Sequence, residues 1–88
     1  MVSEKITVKN PSGLHLRPAG VLSQIASKCA SDVILVKGEK RVNPKSVLIL
    51  MAAGIKCGDE ITVECSGETE SQDLKTIVEA IESGLGEL

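Results

Sequence analysis

Apolar and polar residues alternate with a period of two in the first segment of the chain, residues 2–8, and again in residues 61–65. Residues 33–36 form a continuous apolar run rich in strand formers, and residues 40–42 follow it across Gly38 and Glu39. Such patterns are typical of strands, and a two-residue connection that contains glycine is typical of a hairpin. We therefore expect four strands, of which the second and third form a hairpin.

Helical spacing of apolar residues predicts a helix after Arg17, with Pro18 in a first turn that needs no amide donor. The apolar face of this helix comprises Val21, Leu22, Ile25, Ala26 and Cys29. A short second helix is predicted from Ser46 to Met51 or Ala53, ending near Gly54. A third is predicted by the apolar stripe Leu74, Ile77, Val78, Ile81 and Leu85.

Two sequence signals mark the ends of the third helix. Residues 69–72, Thr-Glu-Ser-Gln, fit a capping box at its start. Gly84 fits a C-terminal cap.

Gly20 lies inside the first predicted helix, where glycine reduces helix stability by up to about 1 kcal/mol relative to alanine. Close approach of a partner, or close packing of the helix against the sheet, would explain its presence.

The resulting order, βαββαβα, favours an α+β fold in which a four-stranded antiparallel sheet carries three helices on one face. The 88 residues are enough for one small domain, so we expect a single domain over residues 1–88.

Composition excludes several classes of protein. The chain has no Phe, Tyr or Trp, which predicts an aliphatic core and disfavours a base-stacking nucleic-acid platform. No run approaches the roughly 18 apolar residues of a membrane span, and no leader pattern is present, so a cytoplasmic location without membrane insertion is expected. Residues 1–44 carry seven basic and three acidic side chains, a balance of +4 that suits acidic partners or phosphate. A well-mixed folded surface is the alternative interpretation.

The three cysteines, Cys29, Cys57 and Cys65, are odd in number and far apart in sequence. Without a C-x-x-C pair, neither a metal site nor a disulfide framework is expected. Cys29 and Cys65 are predicted to be small buried residues in a reducing compartment, and Cys57 to lie in a loop.

The single histidine, His15, lies in the run Gly-Leu-His-Leu-Arg-Pro-Ala at residues 13–19, between the first strand and the first helix. Free amides and the dipole at a helix N-terminus favour negative charge. An imidazole there should resist protonation and keep a lone pair near neutral pH. Once it is phosphorylated, the same amides and Arg17 should hold the phosphoryl oxygens. The alternative is a surface histidine that caps the helix, with Arg17 a solvated side chain.

This run resembles the active-site signature of the HPr family, the histidine-containing phosphocarriers of the bacterial phosphoenolpyruvate:sugar phosphotransferase system. Residues 42–51, Val-Asn-Pro-Lys-Ser-Val-Leu-Ile-Leu-Met, resemble the family segment whose serine is phosphorylated for regulation in some bacteria. The resemblance covers the whole chain and implies an open-faced β-sandwich. Four residues depart from the family pattern without removing a group that His15 needs: Leu16, Pro44, Ile49 and Ala53.

The resemblance implies a monomer without a cofactor that accepts a phosphoryl group on His15 from enzyme I. The acceptors would be the sugar-specific enzyme IIA domains. Arg17 is then the second catalytic residue, and Leu16, Arg17 and Pro18 hold the phosphate. Ser46 is the candidate regulatory site, with HPr kinase/phosphorylase and a transcriptional regulator as further partners. The predicted docking surface comprises Gly20, Gln24, Val47, Leu48 and Met51, although some of these side chains must face the core.

Three other functions stay open. One is a paralogue in a regulatory phosphorelay such as the nitrogen-related branch. Another is a binding module that acts through phosphorylated Ser46. The last is a small metal chaperone, which the lack of paired cysteines disfavours.

Overall fold

Residues 1–87, the part of the chain that the computed structural model describes, form four strands and three helices in the predicted order. The elements are β1 (Val2–Thr7), α1 (Leu16–Ser27), β2 (Asp32–Lys37), β3 (Lys40–Val42), α2 (Val47–Ala52), β4 (Glu60–Ser66) and α3 (Glu70–Glu82). The strands form one antiparallel sheet in the order β1-β4-β2-β3. Over this range no helix combines the length and apolarity needed to cross a membrane.

The helices cover one face of the sheet, so the predicted α+β open-faced sandwich is confirmed. In β4, Ile61, Val63 and Cys65 are buried, and the intervening residues are more exposed. α3 packs on β1 and β4, and α1 contacts both α2 and α3. The fully buried hydrophobic side chains are aliphatic, as predicted, among them Leu22, Leu35, Leu50, Ile61, Ile77 and Ile81. Cys29 and Cys65 belong to this core, as predicted, and Cys57 is exposed in a loop.

Two predictions about helix starts are wrong. α1 begins at Leu16 with His15 as its N-cap, rather than after Arg17, so Pro18 is the third helical residue. Proline is tolerated there because the first-turn amides have no partner within the helix. The capping box at residues 69–72 does not form: Thr69 instead donates its hydroxyl to Asp73 Oδ2 at 2.7 Å.

The end of α3 follows the prediction. Gly84 has a φ of +90°. Its amide donates to the carbonyl of Ile81 at 3.1 Å, and the amide of Leu85 donates to the carbonyl of Ala80 at 3.3 Å. These two bonds form the Schellman arrangement, in which a glycine in the left-handed conformation ends the helix. Leu85 is then buried in the core.

Gly20 does not serve the packing of α1 against the sheet. Apart from the adjoining backbone of α1 and the two neighbouring residues, a Cβ atom built on Gly20 would meet no atom within 4 Å. The structure therefore contradicts close packing as the explanation for this glycine.

Candidate functional site

His15 lies where the chain leaves the loop after β1 and enters α1. Its backbone is extended, with a φ of −82° and a ψ of −169°, and its carbonyl accepts the first helical hydrogen bond, from the Ala19 amide at 2.8 Å. The side chain is exposed and makes no capping hydrogen bond to α1. His15 therefore is an exposed residue at the N-cap position, as the alternative interpretation expected, but it caps α1 through its backbone and not through its imidazole. The imidazole is accessible to a partner protein.

The first turn of α1 leaves backbone donors beside this imidazole. Helical hydrogen bonding begins at Ala19, so the amides of Leu16 and Arg17 precede the first intrahelical bond. Pro18 has no amide hydrogen to donate to an anion, and its side chain is buried. Its role is therefore to fix the backbone conformation of the first turn. The side chains of Leu16 and Arg17 are exposed. Two amides and one guanidinium are thus available to an anion at this helix end.

The loop that carries His15 rests directly on the backbone after α2. Gly13 has a φ of +61°, and a Cβ atom there would lie 2.6 Å from the carbonyl oxygen of Ile55 and 2.7 Å from Cα of Lys56. The Leu14 amide donates to the same Ile55 carbonyl at 2.9 Å. Leu14 itself is buried. The tight approach predicted for Gly13 is confirmed, and it fixes the backbone two residues before the imidazole.

Asn10 and Glu87 also lie beside the histidine loop, and sequence reasoning missed both as site residues. The Asn10 side chain donates to the carbonyl of Gly13 at 2.6 Å and to Glu87 Oε1 at 2.9 Å. Hydrogen bonds from Asn10 and Ser12 lower the pKa of the Glu87 carboxyl, and the charge of Arg17 contributes in the same direction. No local pattern signals this contact, because its partners are 77 positions apart.

The predicted docking residues divide between a groove and an exposed ridge. Gly20, Gln24 and Val47 line one open groove between α1 and α2. Leu48 is 79% exposed beyond it, whereas Met51 is half-buried and packs against the core together with Val47. Ile49, one of the four residues that depart from the family pattern, is 45% exposed and follows Leu48 in the helix. The helix thus presents Leu48 and Ile49 outward.

Ser46 is the N-cap of α2, as predicted. Its hydroxyl oxygen accepts a hydrogen bond from the Ile49 amide at 3.4 Å, and its carbonyl accepts one from the Leu50 amide at 3.0 Å. The side chain is half-buried. The preceding Pro44 is buried. A hydroxyl at the start of a helix fits the structural role of a cap whether or not it is also modified.

The chain is similar to known proteins over most of its length. The family model described as the PTS HPr component phosphorylation site matches residues 2–83. The chain is 39% identical over 77 residues to the HPr-like protein Crh of Bacillus subtilis, covering 88% of this chain and 91% of that protein. It is 43% identical over 65 residues to the phosphocarrier protein HPr of Mycoplasma capricolum, covering 74% and 73% of the two chains.

Solved structures show the same fold. A crystal structure of HPr-C-His from Thermoanaerobacter tengcongensis superposes with a TM-score of 0.95 at 38% identity, covering 100% of this chain and 99% of that one. An HPr dimer from the same organism matches with a TM-score of 0.77 at 38% identity, covering 99% of this chain and 100% of that one. The fold is therefore shared with solved relatives over the full chain.

Proposed function

Since this chain belongs to the HPr family of phosphocarriers, we propose that His15 accepts a phosphoryl group from enzyme I and passes it to sugar-specific enzyme IIA domains. The proposed role belongs to the phosphoenolpyruvate-dependent sugar phosphotransferase system, and the proposed location is the cytoplasm. The carrier itself needs no bound cofactor. It supplies an exposed nucleophile and a prepared anion site, and its partners supply the rest of the catalytic machinery.

One observation carries this proposal: an exposed imidazole next to the free amides of Leu16 and Arg17 at the start of α1. A neutral imidazole can attack phosphorus, and the product carries negative charge on its phosphoryl oxygens. Helix N-terminal amides favour that charge, and the Arg17 guanidinium can form charge-assisted hydrogen bonds with it.

The transfer step follows from this geometry. A ring nitrogen of His15 donates its lone pair to the phosphorus of phosphorylated enzyme I, and the bond between phosphorus and the enzyme I atom that carried it breaks. By family resemblance the accepting atom is Nδ1. In the second transfer the new P–N bond breaks as the acceptor's nucleophile attacks. Arg17 compensates charge on the phosphoryl group in both directions.

The groove lined by Gly20, Gln24 and Val47, with the exposed Leu48 beyond it, is the proposed docking surface for both partners. Leu48 adjoins a second exposed apolar side chain, Ile49, and adjoining exposed apolar side chains are typical of protein contact sites. Because docking needs this surface uncovered, we propose that the working form is a monomer. Light scattering at micromolar concentration should give the mass of one chain, 9.2 kDa, and a stable dimer would contradict that expectation.

Regulation through Ser46 is the second candidate function, favoured by its position at the start of α2 and by the similarity to an HPr-like protein. A phosphate there would add nearly two negative charges at a helix N-terminus, which strengthens the helix locally. It would also change the charge beside Val47 and Leu48. HPr kinase/phosphorylase and a transcriptional regulator would then be partners as well.

The test is incubation with phosphoenolpyruvate and enzyme I, followed by mass mapping under alkaline conditions. We expect one acid-labile phosphate on His15, which a purified enzyme IIA domain removes. His15→Ala should abolish labelling, whereas Ser46→Ala should leave it intact. Label on another residue, or no label in the wild type, would reject the proposal.

The same assay separates the alternatives. Faster labelling by an enzyme I homologue of the nitrogen-related branch would assign the chain to that phosphorelay. A regulatory module would instead keep its biological effect in His15→Ala and lose it in Ser46→Ala. Retention of zinc or copper through purification would favour the metal chaperone.

A further inference from the structure

We propose that Asn10 and Glu87 form a clamp that positions the Gly13–Leu14–His15 backbone for phosphoryl transfer. The inference rests on the proposed function of His15 and adds two positioning residues to it. Neither side chain needs to touch the phosphoryl group. Both act through the turn that precedes the imidazole.

Asn10 is fully buried at the start of that turn. Its amide nitrogen donates to the Gly13 carbonyl at 2.6 Å and to Glu87 Oε1 at 2.9 Å, and its own backbone carbonyl accepts the Gly13 amide at 3.1 Å. Both amide hydrogens therefore have acceptors. The reversed orientation would place the Asn10 oxygen against a carbonyl and a carboxylate, so the hydrogen-bond network fixes the assignment.

The side-chain oxygen of Asn10, in contrast to its nitrogen, contributes unfavourably to the stability of the fold. Within the described residues, its Oδ1 is buried without a hydrogen-bond partner. An unpaired buried acceptor is destabilising, and an apolar side chain would avoid it. The contribution of Asn10 to the fold is thus the pair of bonds from its nitrogen, which connect Gly13 to the end of the chain.

Glu87 completes the clamp from the segment after α3. Its Oε1 also accepts the Ser12 amide at 3.1 Å, and its Oε2 accepts the Ser12 hydroxyl at 2.8 Å. One carboxylate thereby holds three donors from the 10–12 turn. Gly13 is held on its far side by the backbone of residues 55–57. The turn is braced from both sides immediately before His15.

This bracing matters because transfer between two proteins requires the reacting nitrogen and phosphorus to be aligned when the partners dock. A displacement of about 1 Å at a reacting group can reduce a rate about 100-fold. His15 has no capping bond from its own side chain, so the backbone that carries it determines where the ring stands.

The experiment compares Asn10→Ala, Glu87→Ala and Glu87→Gln with wild type. The matched control is Glu68→Ala, which removes an exposed carboxylate near Gly67, beyond the opposite end of β4. Hydrogen exchange of the unphosphorylated chain should be faster by about ten-fold at the Gly13 amide in both alanine variants. Enzyme I kinetics with the chain as substrate should show kcat lower by about ten-fold and KM unchanged.

Glu87→Gln keeps an acceptor oxygen for Asn10 and should recover most of the wild-type exchange and kcat. If Glu87→Gln instead matches Glu87→Ala, the charge rather than the brace is responsible, and the clamp is rejected. Unchanged Gly13 exchange in the alanine variants also rejects it. Should Asn10→Ala fail to fold, the two Glu87 variants carry the test.

These outcomes are separable from failure of the proposed function. If wild type is not phosphorylated on His15, the carrier role fails for every variant alike. The exchange measurement then still reports whether the clamp holds the turn.

Discussion

Among the residues of the site, Gly13 has the most constrained identity, because both its backbone conformation and its surroundings exclude a side chain. The backbone is in the left-handed region, and the position of a Cβ atom is already occupied by the backbone of Ile55 and Lys56. Gly54 shares the left-handed backbone, with a φ of +67°, but has open space at its Cβ position. Substitutions at Gly13 and Gly54 therefore separate the free-energy cost of a side chain on a left-handed backbone from the cost of steric overlap with neighbouring backbone.

Gly13→Ala should destabilise the chain much more than Gly54→Ala. The left-handed backbone alone costs about 1–2 kcal/mol for a side-chain residue. The backbone overlap at Gly13 should add a further cost of about 1–3 kcal/mol. Urea denaturation measures both variants, and equal losses of unfolding free energy would show that the loop can move away from residues 55–57.

Thiol reactivity provides a second test at the residue scale. Burial raises the pKa of the Cys65 thiol to about 11 and also raises that of Cys29, where Asp73 contributes. Only thiolates react rapidly, so both core thiols should resist alkylation in the folded chain at pH 8. Cys57 is exposed and should react first.

The expected result is one fast-reacting thiol in the native chain and three after unfolding in guanidinium chloride, counted by mass after iodoacetamide treatment. Cys57→Ser should eliminate the fast phase. Rapid native labelling of Cys65 would show that β4 opens on the timescale of the assay.

At the scale of elements, sequence periodicity predicts where strands and helices occur but not how each helix begins. The alternation over 61–65 and the apolar stripe from Leu74 to Ile81 both depend on which face is buried, and both predictions are confirmed. Leu85 is buried as well, but it lies beyond the end of α3, with a φ of +52°. The start of α1 was misplaced because Pro18 fits any position of a first turn. The capping box does not form because Thr69, with a φ of −108° and a ψ of 27°, lacks the extended backbone of a capping residue, and its hydroxyl is directed to Asp73, to which it donates.

α1 also carries the clearest stabilising substitution. Gly20 lies in the helix, and a methyl group there would meet no atom within 4 Å apart from the adjoining backbone of α1 and the two neighbouring residues. Gly20→Ala should therefore raise the free energy of unfolding by about 0.8–1 kcal/mol, through helix propensity. If the groove is the docking surface, the same variant should raise KM toward enzyme I. A destabilised variant would mean that α1 is more tightly packed than the structure shows.

At the scale of the whole molecule, the contacts that sequence could not predict are those that join distant segments. The bond from Asn10 to Glu87 spans 77 positions, and the bond from the Ser31 amide to Asp73 spans 42. Hydrophobic patterning predicts which faces meet, so the sheet with helices on one side was predictable. It does not predict which polar side chains meet at the edges of those faces, since that depends on final register and helix rotation.

Asp73 makes one of these long connections sensitive to acid. Hydrogen bonds from Ser31 and Thr69 hold the pKa of this buried carboxyl below its ordinary value. The folded state thus favours the ionised form more than the unfolded chain does. Its stabilising contribution is fully present above the unfolded pKa of about 3.9, and is lost as pH falls through the lower folded value.

Asp73→Asn should therefore reduce the free energy of unfolding at pH 7 by about 1–3 kcal/mol, because hydrogen bonds to a charged acceptor are replaced. The difference from wild type should shrink steadily as pH falls from about 5 toward 2. The control is Asp32→Asn, which removes an exposed carboxylate beside Ser31 and should change stability by less than about 0.5 kcal/mol. Denaturant titrations across this pH range make the comparison. A difference that stays constant down to pH 2 would show that Asp73 stabilises the junction of β2 and α3 through packing rather than through its charge.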